Sequence, residues 1–320
     1  MNNNGSRSLV AECGGARVKT VYRGAGSIPA ESPKSVPPFD RTQRHFLSLG
    51  AGVQSSTIAL MAAKGEIGPM PEAAIIADTK HEPRAVYAWL DWLEKQLPYP
   101  VIRVTAGDLW KSATNVRRTQ DGERTYISTG IPVFFTGSEG GELTTRKGIG
   151  KRQCTRDFKT NVITRQVKQL VGLKRVSKKT PTMATTWIGI SADEPHRAKP
   201  SREHWITKRF PLLELDMDRE DCLEWMRDNG YPVPPRSACT FCPFHDDNSW
   251  LALEPDELVA VAQKEKELQA AYARTTAIQG VPYFHESRVP LLEVKFQPTA
   301  KHTTRQRKLF GAECEGMCGV

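Results

Sequence analysis

Apolar residues in this chain come in short runs with two alternating periods. Phe46-Leu47, Ala74-Ile75-Ile76-Ala77 and Trp187-Ile188-Gly189-Ile190 are unbroken apolar stretches, each followed closely by small or charged residues. Runs of that length suit parallel strands buried on both faces. Between them, Ile58, Leu60 and Met61, and then Val86, Trp89, Leu90, Leu93 and Leu97, recur at helical spacing and give each helix an apolar stripe. The pattern predicts strands over 45–49, 73–77, 101–104 and 183–190, and helices over 54–64, 83–96, 156–171, 218–229 and 255–275. Strands alternating with helices imply an α/β fold with a doubly wound, mostly parallel sheet.

The segments around this frame differ in composition. Residues 1–44 scatter Gly, Ser, Pro and Arg without an apolar period, so burial cannot offset the entropy of ordering them, and a disordered, mobile basic arm is expected. Residues 45–260 make the expected nucleotide-binding domain, and 261–320 a helical and irregular C-terminal extension that carries terminal cysteines. Within the domain, the Gly- and Thr-rich region from 111 to 150 reads as a long active-site loop or lid. At 320 residues and 39% hydrophobic content the chain can bury one sizeable core. No stretch approaches the roughly 18 apolar residues of a membrane span, and Met1–Arg7 lacks the apolar centre of a secretory signal. A cytoplasmic protein with no membrane partner is expected.

The strand ends carry the candidate chemistry. Ser48 to Thr57 leaves a strand through glycines and small hydroxyl residues and opens a helix. That leaves backbone N–H groups unpaired at a positive helix end, which suits a phosphate. Asp78-Thr79 follows the second apolar run, and Ser191-Ala192-Asp193-Glu194 with Arg197 follows the last one. In open α/β sheets ligands lie outside the carboxyl ends of strands. The nucleotide-contact candidates are therefore Ser48, Gly50, Gly52, Gln54, Ser55, Ser56, Asp78, Thr79, Gly189, Asp193, Glu194 and Arg197.

Charge and cysteine sharpen this. The net charge of +9 is concentrated between Arg146 and Lys179, where twelve Lys and Arg face the single acid Asp157. Such a segment draws an anion, either a nucleotide with several phosphates or a nucleic-acid strand. Lys151, Arg152, Arg156 and Lys159 are its candidate contacts. Seven cysteines without a signal segment argue against a secreted disulfide framework. Cys239-x-x-Cys242-Pro243 lets two thiolates reach one metal centre. Cys222 falls on the apolar face of a predicted helix and reads as core, Cys13 lies in the arm, and His245 follows the cysteine loop as a structural residue or a ligand.

Together, the glycine-serine loop, Ala77-Asp78-Thr79 with His81-Glu82, Gly189 to Glu194 with Arg197, and Cys239-Thr240-Phe241-Cys242-Pro243 resemble the phosphoadenosine phosphosulfate (PAPS) reductase family of the PP-loop adenine nucleotide α-hydrolase-like superfamily. The likeness runs over about residues 45 to 260. The usual loop reads Ser-Gly-Gly-Lys-Asp-Ser, and this chain has Val53 and Gln54 where that pattern has Lys and Asp. Cys154, within Lys151-Arg152-Gln153-Cys154, resembles the basic cysteine motif of cluster-containing sulfonucleotide reductases, which carry a Cys-Cys pair there.

The resemblance implies an iron–sulfur cluster, of the 4Fe-4S type, on Cys154, Cys239 and Cys242, with the fourth ligand unassigned. It also implies an adenine nucleotide on the strand ends, with Asp78 and Asp193 near the sugar or a metal such as Mg2+. The tail Glu313 to Val320 resembles the Glu-Cys-Gly ending of the reductases, which makes Cys318 and Cys314 the candidate catalytic thiols. Three functions follow. One is reduction of a sulfonucleotide (PAPS or adenosine phosphosulfate) with a thiol donor. A second is ATP-dependent transfer of sulfur from a sulfur donor to tRNA or DNA. The third is a non-catalytic nucleotide-sensing or nucleic-acid-binding module.

Overall fold

The computed structural model describes residues 43–139, 142–276 and 280–298. Its centre is a sheet of β1 (Arg44–Ser48), β2 (Ala73–Ala77), β3 (Val101–Val104), β8 (Ala184–Trp187) and β9 (Ile206–Arg209), in the order β3-β2-β1-β8-β9. Every pairing in it is parallel. The two-residue period of the strands divides the core in two. Leu47, Ala74, Ile76 and Trp187 enter one cluster with α1 (Val53–Ala63), α2 (Arg84–Glu94) and α6 (Arg219–Asp228). Phe46, Ala73, Ile75, Ala77 and Ala184 enter the other with α4 (Asn161–Leu170). Helices thus cover both faces, and the sheet is doubly wound.

The chain climbs from β1 to β3 on one side and returns to place β8 on the other, so the direction of winding reverses at β1. The crevice outside the carboxyl ends of β1 and β8 is the switch point at which such sheets bind ligands. α1 starts there and is buried on nearly every side, from Val53 to Ala62, which explains why its sequence lacks a polar face. Cys222, expected in the core, is fully buried against the same cluster.

Several expectations change. The strand over 183–190 ends at Trp187. β9 escaped the apolar pattern because it is a polar edge strand, whose buried Arg209 stacks over Trp187 at 4.5 Å and pairs with Glu214 at 2.7 Å in the short α5 (Pro211–Glu214). The region from 111 to 150 is not a plain loop: it holds the end of α3 (Leu109–Ala113), a ribbon of β4 (Val116–Arg118) and β5 (Thr125–Ile127), and the antiparallel pair β6 (Phe134–Glu139) and β7 (Glu142–Ile149). β6 also pairs with β10 (Pro282–Tyr283). The strands of the ribbon are three residues each, too short to show a period.

These insertions, with α7 (Asp247–Leu251) and α8 (Pro255–Tyr272), build a third core around Trp110, Phe241, Trp250 and Phe284. Buried Glu265 on α8 ties the end of the described chain to it, accepting from the N–H groups of Phe284 and Leu291 at 2.8 and 2.9 Å. The expected arm lies outside the described residues except at its end, where Arg44 already belongs to β1. Cys13, Cys314 and Cys318 also lie outside them. Among the described residues no helix is long and apolar enough to cross a membrane.

Candidate functional site

The loop after β1 is held from within. Ser55 is fully buried, and its hydroxyl accepts the Gly50 N–H at 3.1 Å. The Ser56 hydroxyl accepts from the Trp89 indole at 3.0 Å. Both hydroxyls therefore shape the loop and pack the helix, and what the loop offers an anion is its backbone and the first turn of α1. Ala51, between the two glycines, has a left-handed φ of 59°. A non-glycine residue in that conformation is strained and belongs to the kind of turn whose N–H groups converge on anions. Ser48 ends β1 with a buried hydroxyl that has no hydrogen-bond partner among the described residues.

Gln54, at the position where the PP-loop pattern has Asp, is 3% exposed and links three elements. Its amide nitrogen reaches Ser191 Oγ at 3.4 Å, and its oxygen accepts from Arg219 Nη1 at 3.1 Å. Ser191 in turn donates to Asp193 Oδ1 at 2.6 Å. The structure thus joins Gln54 and Asp193 across the β1–β8 crevice, and it adds Arg219, which the sequence did not single out. Arg219 follows the N-cap Asp218, whose capping box with Asp221 starts α6. The run Asp218-Arg219-Glu220-Asp221 reads as a helix start. The backbone bond from Ala192 N–H to Met217 O, 2.8 Å, and the packing of α6 against α1 bring it to the crevice. Glu194 and Arg197 form an ion pair within the 3₁₀ turn beyond.

At the end of β2, Asp78 accepts from the Lys80 N–H at 2.7 Å and from Tyr87 Oη at 2.8 Å, with the Lys80 ammonium at 3.0 Å. Burial pushes this carboxyl up, but those three donors outweigh it and hold the group below its ordinary value. Thr79 turns the other way, fully buried, with Oγ1 3.1 Å from Cys239 Sγ.

That contact opens on the second half of the site. Cys154, Cys239 and Cys242 line one small cavity, partly open to solvent, with Thr79, Arg152 and Lys159. The cysteine loop is fixed by Phe241, which is 2% exposed and packs against His81, Trp110 and Phe284. The Thr240 N–H donates to His81 O at 2.7 Å. Cys154 starts a π-helical turn, Thr155–Thr160, of the kind enriched at functional sites. Its segment approaches closely because residue 130 is glycine: a Cβ there would meet Gln153 Oε1 at 2.8 Å.

Beneath the cavity, Lys159 pairs with Glu82 at 3.3 Å, both side chains less than a tenth exposed, and Ser237 donates to the other Glu82 oxygen at 3.4 Å. Burial pushes the Cys239 thiol up, and the Glu82 charge adds to it. A thiol so placed becomes a thiolate when a metal takes the charge. Soft donors from two segments on one wall suit an iron–sulfur centre, although among the described residues no three His, Cys, Asp or Glu groups already converge as a metal-binding set. His245 stands apart from the cavity lining, with its ring against Trp250 at 4.6 Å. Of the basic candidates, Arg152 lines the cavity and lies over the Phe244 ring at 5.3 Å, Arg156 pairs with Asp157 at 2.8 Å, and Lys151 is exposed.

The candidates thus fall into two groups: a polar crevice at the ends of β1 and β8, and a thiol cavity that begins at Thr79, beyond the end of β2. A scan against models of known protein families finds no match for this chain, and a search of curated proteins finds none either.

Proposed function

We propose that this protein is an adenine-nucleotide-dependent enzyme of sulfur chemistry, of the kind its motifs resemble, and that it reduces a sulfonucleotide. The observation that supports the reading is that both groups of candidates lie at one edge of the sheet: Asp78 follows β2, the neighbour of β1, and the next residue, Thr79, touches Cys239 of the thiol cavity. The phosphates rest on the backbone of residues 50–55, Gln54 and Arg219 fix the loop against Asp193, and the sulfur-bearing end points to the cavity. Cys154, Cys239 and Cys242 would hold an iron–sulfur cluster, which would supply electron-transfer or thiol-tuning chemistry beside the substrate. Arg152 brings positive charge to the anionic end, while the charge of Lys159 is balanced by Glu82.

The thiolate of Cys318 or Cys314 attacks the sulfonate sulfur, an S–S bond forms, the S–O bond to phosphate breaks, and the nucleotide leaves with that electron pair. A thiol donor then attacks the cysteine sulfur, forming a disulfide and releasing sulfite. Val53, in place of a loop lysine, withholds charge from a pyrophosphate leaving group, which disfavours ATP cleavage. Anaerobic incubation with PAPS or adenosine phosphosulfate and a thiol should yield sulfite and an S-sulfonated Cys314 or Cys318. Neither product appearing would remove this reading.

The second reading is ATP-dependent sulfur transfer to tRNA or DNA. It is favoured by one observation, the basic and aromatic β4–β5 ribbon that rises from the cavity wall.

A further inference from the structure

We infer that the β4–β5 ribbon is a contact arm for a single-stranded nucleic acid, which it delivers to the thiol cavity. The inference rests on the sulfur-transfer reading and names the surface that would take its substrate. Arg117 lies directly opposite Tyr126 across the ribbon, so the two share one face, and both are exposed. The neighbouring positions turn inward: Ile127 packs on the third core, and Thr125 is bonded to the 274–276 segment through Arg274 O at 3.0 Å and Thr276 N–H at 2.9 Å. The ribbon is thus fastened along one side and offers the other to solvent.

Arg124, two residues before Tyr126, shares its face and is exposed, while Arg118, opposite Thr125, is exposed on the other face. Among the described residues none of Arg117, Arg118 and Arg124 forms an ion pair with a carboxylate. Of the two acids at the tip, Asp121 is engaged within the turn, accepting from the Thr119 hydroxyl and from the Glu123 N–H at 3.0 Å, and Glu123 is exposed without an ion pair to the arginines among the described residues. Arginines with no carboxylate partner beside an exposed tyrosine contribute little to the fold. They form the combination that binds unpaired strands, in which cations track phosphates and a base stacks on the ring. A paired base has no free face for Tyr126, which selects a single strand over a duplex.

The position adds the second half of the argument. One stem of the ribbon begins at Leu109, and the other ends at Ile131-Pro132, and all three residues line the cavity with the cysteines. The stems are clamped together by Ser112 Oγ with Thr129 Oγ1 at 2.6 Å and by Ser128 N–H with Asn115 O at 2.9 Å. A strand held on the ribbon therefore reaches a wall that carries Cys154, Cys239 and Cys242.

The test is fluorescence anisotropy of the full chain with short labelled single-stranded DNA and RNA and the matching duplexes, over a range of salt. The wild type should bind single strands more tightly than duplex. Replacing Arg117 and Arg124 together by alanine should weaken binding about tenfold and reduce the slope of log K against log salt by about 1.4, at about 0.7 per phosphate contact. Tyr126→Ala should weaken it about tenfold with the slope unchanged, as stacking does. These exposed changes should leave the melting temperature as it is. Equal binding by wild type and both variants would overturn the ribbon and leave the sulfur-transfer reading standing. No binding of any polynucleotide at low salt would overturn both, and equal affinity for duplex with no effect of Tyr126→Ala would overturn the single-strand assignment.

Discussion

The crevice lies at the ends of β1 and β8 and the thiol cavity begins beyond the neighbouring β2, and the two are built on opposite principles. In the crevice Gln54, Ser191, Asp193 and Arg219 bond to one another, and the Ser48 hydroxyl has no partner among the described residues. The cavity is made by segments packed around aromatic rings, and the buried ion pair of Glu82 with Lys159 forms a polar floor beneath thiols. The crevice is thus fixed by the fold, while the cavity depends on how distant segments are held. If this contrast holds, damage to the cavity's supports should cost more stability than damage to the crevice.

The largest effect is expected at that floor. Lys159→Met leaves Glu82 buried without its cation and should cost about 3–5 kcal/mol. Converting both residues to apolar ones should recover most of the loss, and equilibrium denaturation of the full chain measures each. A single-variant cost near zero would mean that water already reaches the floor.

Next comes Glu265→Gln, which replaces one of two accepting oxygens with a donor facing a backbone N–H. It should lower stability by about 1–3 kcal/mol, read as a shift in melting temperature, because the third core loses its tie to the 284–291 segment. On the crevice side, Arg219→Ala should weaken adenine nucleotide binding about tenfold, about 1.4 kcal/mol, with little change in melting. Calorimetry showing unchanged affinity would place the phosphates away from Gln54.

The smallest effect concerns acid. The folded-state pKa of Asp78 is lowered, so the stability it contributes is complete above the ordinary carboxylate value and is lost as pH falls through the lower folded value. Melting temperatures of wild type and Asp78→Asn, separated near neutrality, should converge on acidification. A gap that persists below both values would assign the difference to packing.

The contrast also explains what could be read from the sequence. The strands and the loop after β1 were legible because each is a local pattern, an apolar run broken by small polar residues. The sequence marked Cys239 and Cys242 by their spacing and Cys154 by its likeness to a basic cysteine motif, and the structure places all three on one cavity wall. That Thr79, Leu109 and Ile131 would share a wall with them was not legible, since residues far apart in sequence meet only through tertiary packing. The hydroxyls of Ser55 and Ser56 look like phosphate ligands in sequence but are bonded inward, because α1 is buried on nearly all sides. β9 hid behind its polar residues, and Arg219 behind a run that reads as an ordinary helix cap.

We propose that the cavity thiols hold an iron–sulfur cluster beside a nucleotide. This is tested most directly by metal analysis and electron paramagnetic resonance of anaerobically purified full-length protein, with and without adenine nucleotide. The account predicts about four irons per chain, a spectrum that changes when nucleotide binds, and loss of both in Cys239→Ser. Zinc alone, or iron that survives in Cys239→Ser with a spectrum indifferent to nucleotide, would contradict it.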